Sequence, residues 1–303
     1  MAGYLNSDRE KHRSSIIGGV SLQKVRIVTD SATGLPKEIL DKYGIINVPV
    51  PMYVGDDCFL EFEEIEQSKV YEALVNDLSV KTAAPTPGQF IEVFNKLEGE
   101  CETIMCIHLV EVLSGTLNSA RIAATTVPEK DIVVFDSLST NIGCGLLVMI
   151  AAKAAQEGKG KEEILAMLES AKKNTYVYAA LPTVKYAAKS GRLPHVAAFF
   201  ASVLAIKPII AANETGIIVA DKVRTFPASV NRMIDLVAEK CGGKADYVII
   251  GTTNSPEESK KIYPDVKAKI DFKDENLLYA EMGCSMAIHG GVGMIGLAVC
   301  NLE

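Results

Sequence analysis

The first half of the chain alternates short β-branched runs with amphipathic segments, and this rhythm constrains the fold more than any other feature. Apolar runs typical of strands occupy residues 25–29, 46–50 (ended by Pro51), 103–109 and 131–135. Helices are predicted at 35–43, 67–77, 87–97, 141–156 and 161–173, and those at 67–77 and 87–97 have the helical spacing of apolar residues. This order of strands and helices predicts a mostly parallel sheet covered by helices on both faces.

One of these helices has a clear start. Thr86 is a suitable N-cap, Pro87 suits the first helical position, and Gln89 is placed to complete a capping box. The helix over residues 87–97 is therefore expected to begin at Pro87.

After about residue 175 the rhythm changes. Short strand-like runs appear at 176–180, 207–211, 216–220, 247–251, 277–281 and 295–300, and helices are predicted at 183–189, 197–204, 227–240 and 256–270. The turn at residues 213–216 predicts a hairpin. The sequence thus predicts an α/β protein of two domains. Residues 1–23 form a flexible leader or tag, 24–174 an N-terminal domain with a mostly parallel sheet, and 175–303 a C-terminal domain with a more antiparallel sheet.

Composition excludes several classes of function. The net charge of −7 argues against a protein that wraps nucleic acid. No run approaches the roughly 20 apolar residues of a membrane span, and the apolar part of the leader is too short for a signal peptide. The seven cysteines are odd in number and include no Cys-x-x-Cys, and the four histidines are scattered. We therefore expect no disulfide framework, no metal site, no cofactor and a cytoplasmic protein.

The strongest candidate site is the segment 113–120, where Ser114 and Thr116 flank Gly115 at the start of a predicted helix. Hydroxyls and backbone N–H groups at a helix N-terminus suit a carboxylate or phosphate. Two other strands end in Asp-Ser, at residues 30–31 and 136–137. In a parallel sheet all three ends share one edge, where ligands bind. The alternative for each Asp-Ser pair is ordinary turn and cap chemistry.

Four further side chains are candidates with structural alternatives. Thr82 precedes the capped helix, and His289 opens a glycine-rich run in which the backbone can approach a ligand. Arg192 lies in a loop between two predicted helices, and Arg224 follows a strand-like segment. Each arginine is either a solvated surface charge or a partner for a carboxylate or phosphate.

Two apolar helices are rich in small residues, at 142–155 and 196–206. Such a composition is typical of ordinary core packing. It also suits the wall of an elongated apolar cavity between domains.

Taken together, the motifs resemble the DegV family of bacterial fatty acid-binding proteins. The resemblance runs from about residue 25 to residue 299, and its order and spacing are specific. The matching motifs are Thr29-Asp30-Ser31, residues 81–87, Leu113-Ser114-Gly115-Thr116, Asp136-Ser137 with Gly143 and Gly145, Ser190-Gly191-Arg192, Val223-Arg224-Thr225 and residues 289–293.

The resemblance implies a two-domain α/β fold with a long-chain fatty acid in a buried tunnel between the domains. It places the ligand carboxylate on the hydroxyls of Thr82 and Ser114, with His289 in the same network. Ser31 and Thr116 complete the expected fatty acid-binding residues.

Members of the family present the bound fatty acid to a separate ATP-dependent kinase, which makes an acyl phosphate. The resemblance therefore implies a carrier with no nucleotide site of its own, whose partners are a fatty acid and a fatty acid kinase. Arg192 and Arg224 are expected to serve kinase docking or phosphoryl transfer.

The loop after residue 81 departs from the family pattern, which usually reads Thr-Ser-Gln-Pro-Ser. This chain has Thr82, Ala83, Ala84, Pro85 and Thr86. The first hydroxyl is kept and the second is lost, so the head-group network holds one hydroxyl fewer or a water in its place.

Two other functions compete with the carrier. The first is a serine-dependent acyl hydrolase or transferase with Ser114 as nucleophile, His289 as base and Asp30 or Asp136 as orienting acid. Ser114 does not lie in the Gly-x-Ser-x-Gly turn of such enzymes. The second is a periplasmic-type sugar or amino acid binder, which the missing export signal disfavours.

Overall fold

A computed structural model describes residues 16–17, 20–21, 23–190, 206–254 and 256–302. The helix expected over residues 197–204 lies outside the described residues. Within the described part of the chain, no helix combines the length and apolar character needed to cross a membrane.

The elements alternate along the chain much as the sequence pattern indicates. The described strands are, in chain order, β1 Ile16–Ile17, β2 Val20–Ser21, β3 Gln23–Asp30, β4 Ile46–Val48, β5 Pro51–Val54, β6 Asp57–Leu60, β7 Val80–Thr82, β8 Cys101–His108, β9 Ile132–Asp136, β10 Thr175–Ala180, β11 Lys207–Asn213, β12 Gly216–Val223, β13 Tyr247–Thr252, β14 Leu277–Glu281 and β15 Ile295–Cys300. The described helices are α1 Lys37–Tyr43, α2 Gln67–Val75, α3 Pro87–Lys96, α4 Thr116–Thr126, α5 Asn141–Gln156, α6 Lys161–Lys173, α7 Lys185–Ser190, α8 Phe226–Cys241, α9 Pro256–Lys260, α10 Tyr263–Lys269 and α11 Gly283–Gly290.

The N-terminal half builds a parallel sheet with the strand order β4-β3-β8-β9. Its central strands β3 and β8 are buried along most of their length, since helices cover both faces. Helix α3 begins at Pro87 with the predicted capping box, in which Thr86 accepts from the backbone N–H of Gln89. This half of the fold prediction is confirmed.

A smaller antiparallel sheet with the order β6-β5-β7 lies beside it. The strand predicted at 46–50 and ended by Pro51 is shorter, because β4 ends at Val48 and Pro51 is the first residue of the next strand, β5. A proline at the first position of a strand leaves the ladder intact. Strands β6 and β7 have three or four residues each and carry no clear apolar alternation.

The second half builds a sheet with the order β12-β11-β10-β15-β13-β14. All its neighbours are antiparallel except β13 and β14. The predicted hairpin joins β11 to β12, with Asn213 opposite Gly216. The fold is therefore α/β, with a parallel sheet followed by a more antiparallel one, as the sequence predicted.

Helix α5 lies between the parallel sheet and the second sheet. It packs against β3 and β8 on one side and against β10, β13 and β15 on the other, so both sheets share one apolar core. Two glycines allow this approach: a methyl group at Gly145 would lie 3.0 Å from the carbonyl oxygen of Thr33, and one at Gly143 only 3.1 Å from Val177 Cβ. The division of the chain near residue 174 into two domains stays a prediction.

Two helices differ from the expectation. The segment 256–270 is not one helix, because it breaks into α9 and α10 with Pro264 in the first turn of the second. Proline lacks the N–H that a continuous helix would need. Helix α11 was not predicted, since glycines flank it on both sides and hide its short apolar pattern.

Candidate functional site

The carboxyl ends of the parallel strands meet at one edge of the sheet, and polar side chains collect there. Asp30 ends β3, His108 ends β8 and Asp136 ends β9. Asp30 is buried, and its two oxygens accept from the backbone N–H of Ala32 at 3.0 Å and from Nδ1 of His108 at 2.7 Å. Asp136 accepts from the backbone N–H of Leu138 at 2.9 Å. Both aspartates thus organise turns and neighbouring side chains.

The Ser114 loop lies at the same edge and turns into helix α4. Ser114 Oγ lies 2.9 Å from Thr116 Oγ1 and accepts from the backbone N–H of Thr116 at 3.3 Å. Gly115 is the N-cap residue, and a methyl group at this position would lie 3.5 Å from Ala84 Cβ in the loop after β7. The two loops expected to hold a head group therefore lie beside each other.

A cavity of about 330 Å³ opens at this edge, a size within the usual range for small-molecule pockets. Thr82, Ser114, Thr116 and His289 all line it. Thr82 is the last residue of β7, and His289 lies in the last turn of α11, which packs against β7. Four of the predicted site residues are thus brought together by three different elements.

The rest of the cavity wall is mostly apolar and comes from the second sheet. Strands β10, β11 and β12 contribute Val177, Tyr178, Ile210 and Ile217. Helix α5 contributes only Asn141, and its remaining residues lie in the core. Residues 142–155 thus pack as core, and the other helix proposed as a wall, 196–206, lies almost wholly outside the described residues.

Sequence reasoning missed Asn141 and Ser285, which also line the cavity. Asn141 is fully buried, and its side-chain amide donates to the carbonyl oxygens of Ala32 at 2.6 Å and Met282 at 2.9 Å. It therefore ties the first sheet to the segment before α11. Ser285 lies four residues before His289, so a correctly predicted α11 would have placed both on one helix face.

Ser31 does not line the cavity, although it was expected to bind the ligand. Its hydroxyl donates to the Glu61 carboxylate at 2.7 Å and accepts from the backbone N–H of Val50 at 3.0 Å. The other Glu61 oxygen accepts from the backbone N–H of Ser285 at 2.7 Å. Ser31 thus supports the cavity wall from behind, through the first turn of α11.

Glu61 is fully buried beneath this wall. Loss of hydration raises the pKa of its carboxyl group above the usual range. The hydrogen bonds from Ser285 and Ser31 act in the opposite direction but have the smaller effect. No sequence signal distinguished Glu61 from the other acidic residues near it.

Two arginines, Arg192 and Arg224, were expected to serve kinase docking or phosphoryl transfer. Arg224 is exposed in the turn between β12 and α8 and does not line the cavity. Arg192 lies outside the described residues. Among the residues that are described, no group of three or more acidic, histidine or cysteine side chains is placed to hold a metal ion.

Three comparisons with known proteins agree with the fold. A family model described as "Uncharacterised protein, DegV family" matches residues 24–302. A DegV domain-containing protein from Listeria innocua is 30% identical to this chain over 281 residues, which span 91% of this chain and 98% of that relative.

Solved structures match over a similar extent. DegV from Bacillus subtilis, described as a fatty acid binding protein, has a TM-score of 0.80 at 26% identity, covering 92% of this chain and 99% of its own. A DegV family protein from Thermus thermophilus, described by its fatty acid binding, has a TM-score of 0.83 at 22% identity, covering 92% and 100%. With a family match that spans nearly its whole length, this protein belongs to the DegV family.

Proposed function

We propose that this protein binds one long-chain fatty acid in the cavity and presents the carboxylate to an ATP-dependent fatty acid kinase. The observation that carries the proposal is that the cavity lining combines polar hydroxyl groups with a larger set of apolar side chains. Hydroxyls of Thr82, Ser114 and Thr116 lie on its wall together with the apolar side chains of β10, β11 and β12. The description of the Bacillus subtilis relative as a fatty acid binding protein supports the same ligand.

The free energies of burying an apolar tail and of desolvating a carboxylate are both consistent with an amphiphilic ligand. Each buried methylene contributes about 0.8 kcal/mol, so a tail of roughly a dozen contributes on the order of 10 kcal/mol before the costs of ordering the ligand. A carboxylate that leaves water without hydrogen-bond donors is strongly disfavoured. In this proposal the tail supplies the affinity, and the hydroxyl cluster with His289 fixes the orientation of the head group.

The kinase partner extends the proposal. A carboxylate oxygen attacks the terminal phosphorus of ATP, the bond from that phosphorus to the bridging oxygen of ADP breaks, and the products are an acyl phosphate and ADP. The partner supplies the nucleotide site, and this protein works as a lipid-binding subunit in the cytoplasm. Arg224, exposed after β12, and Arg192 are the proposed kinase contacts.

The first test is the lipid that accompanies the protein. Denaturing mass spectrometry of lipids extracted from freshly purified protein is expected to recover one fatty acid per chain. Delipidated protein is expected to bind palmitate or oleate in isothermal titration calorimetry. An empty protein that also binds neither added fatty acid refutes the proposal.

The second test removes one hydroxyl. Ser114→Ala is expected to weaken palmitate binding about tenfold to a hundredfold, since a hydrogen bond to a charged group contributes about 1.5–3 kcal/mol. The matched control is Ser119→Ala, a serine on helix α4, which follows the Ser114 loop, that does not line the cavity. Equal affinity of the two variants removes Ser114 from the site. Rapid labelling of Ser114 by a fluorophosphonate probe would instead favour the hydrolase.

A further inference from the structure

A second cavity of about 530 Å³ adjoins the first and shares Thr82 and His289 with it. Its walls come from the segment between α2 and β7, from β7 itself, from α7 and from α11. None of the apolar strands β10, β11 and β12 reaches it. A ligand whose head group lies at Thr82 and His289 therefore has its tail on one side and the second cavity on the other.

The second cavity differs from the first in charge. Lys81 and Lys189 line it together with one carboxylate, Asp77. That carboxylate is already paired, with Lys185 Nζ at 2.7 Å and Lys189 Nζ at 3.1 Å, and these ammonium groups hold the pKa of Asp77 below its usual range. Lys81 has no ion-pair partner among the described residues. Two lysines and one carboxylate thus line the cavity, and that carboxylate is also paired with Lys185, in a chain whose net charge is −7.

Such a local excess of positive charge favours an anion with more than one charge. A phosphate monoester carries close to two negative charges at neutral pH and three acceptor oxygens. Lysine ammonium groups bind phosphate as point charges and need no fixed planar geometry. The carboxylate of a fatty acid, with a single charge, is already provided for by the hydroxyls of the first cavity.

We propose that the second cavity is a phosphate subsite, which holds the phosphoryl group attached to an acyl head group at Thr82 and His289, with Lys81 and Lys189 as its cationic partners. This inference rests on the proposed function, since it assigns a place to the group that phosphorylation adds. When the free fatty acid is bound, the second cavity contains solvent. When the phosphorylated lipid is bound, its phosphoryl group occupies the second cavity.

The test compares two lipids with the same chain length, palmitate and hexadecyl phosphate, below the concentrations at which either forms micelles. Lys81→Gln is expected to weaken hexadecyl phosphate binding about three- to tenfold, and Lys81→Gln with Lys189→Gln further, while palmitate binding stays within twofold. The matched control is Lys96→Gln, which makes the same change in net charge away from both cavities. Thermal midpoints of all variants check that the fold is kept.

Each outcome has a distinct meaning. Selective loss of hexadecyl phosphate binding supports the subsite. Equal loss for both lipids, or no loss for either, overturns it and leaves the fatty acid carrier standing. If the unaltered protein binds neither lipid, the proposed function fails and the subsite fails with it.

Discussion

At the scale of single residues, Glu61 is a buried carboxyl group that supports the wall of the first cavity without lining it. Its carboxylate accepts from Ser31 and from the backbone of Ser285, so it joins the edge of the first sheet to the helix that carries His289. A buried carboxylate retains two hydrogen bonds but loses its hydration. The folded state therefore favours the protonated form more strongly than the unfolded chain does.

This asymmetry predicts a pH dependence of stability. Because the pKa of Glu61 is raised in the folded state, the contribution of Glu61 to the free energy of unfolding is fully present below the unfolded pKa of about 4.3. That contribution is lost as pH rises through the folded pKa. Glu61→Gln cannot ionise. We expect the stability of the variant relative to the unaltered protein to increase as pH rises above about 4.3. Urea unfolding from pH 4.5 to pH 8 measures this difference.

Glu63→Gln is the control, since Glu63 is exposed and close in sequence. Parallel pH profiles for Glu61→Gln and the unaltered protein would contradict the prediction. A fall in the stability of Glu61→Gln with rising pH, relative to the unaltered protein, would reverse its sign.

Residue patterns predicted part of the site. Ser114 and Thr116 could be predicted as site residues because they lie between the end of a strand and the start of a helix. Both of these features are determined by residues that are neighbours in the sequence. Glu61 and Asn141 were not, because their roles depend on partners more than 100 residues away in the chain, Ser285 and Met282. No local spacing encodes such a contact.

At the scale of elements, the bounds of α5 and α6 agree with the predicted ranges, since long helix-forming runs and the turns that flank them are local signals. Strands β6 and β7 escaped prediction because three or four residues do not establish an alternation. Helix α11 escaped it because glycines border it on both sides. Short elements therefore owe their form mainly to tertiary packing.

The glycines of helices give a direct test of packing. Ala at position 145 would bring its methyl group to 3.0 Å from a backbone oxygen and 3.2 Å from Leu35 Cδ2. We expect Gly145→Ala to lower the free energy of unfolding by about 1–2 kcal/mol, because overpacking outweighs the gain in helix propensity. Equilibrium denaturation in urea gives the value.

Gly88→Ala is the matched control in helix α3. Its methyl group would meet only Thr86 Oγ1, at 3.8 Å, and its backbone is not in the left-handed region. This substitution is expected to raise the free energy of unfolding by about 0.5–1 kcal/mol. The same sign of change at both positions would show that propensity, rather than the close approach of α5 to the first sheet, decides the effect.

At the scale of the whole molecule, the regular alternation of strands and helices in the first half predicted the parallel sheet, because parallel neighbours need a crossover connection. The change of rhythm and the hairpin at residues 213–216 predicted the more antiparallel sheet. The order of strands in the second sheet was not predictable, since periodicity carries no information about which strands become neighbours. The ligand cavity depends on that order. Its walls combine the first sheet's loops with β10, β11 and β12.

A ligand in this cavity is therefore expected to stabilise both halves together. Palmitate at about a hundred times its Kd adds about 2.7 kcal/mol to the free energy of unfolding. Hydrogen exchange is expected to slow most in α4 and in β11, and least in α10, which contributes nothing to the cavity. Protection confined to one half would contradict a shared site.

The position of β15 has a consequence for how the protein is made. This strand lies between β10 and β13, two strands that are synthesised long before it. On the ribosome, the strand order of the second sheet cannot be completed until residues 295–300 have emerged. Synthesis of β15 is thus required before β10 and β13 become joined through a shared neighbour, and before the contacts of β15 with α5 form.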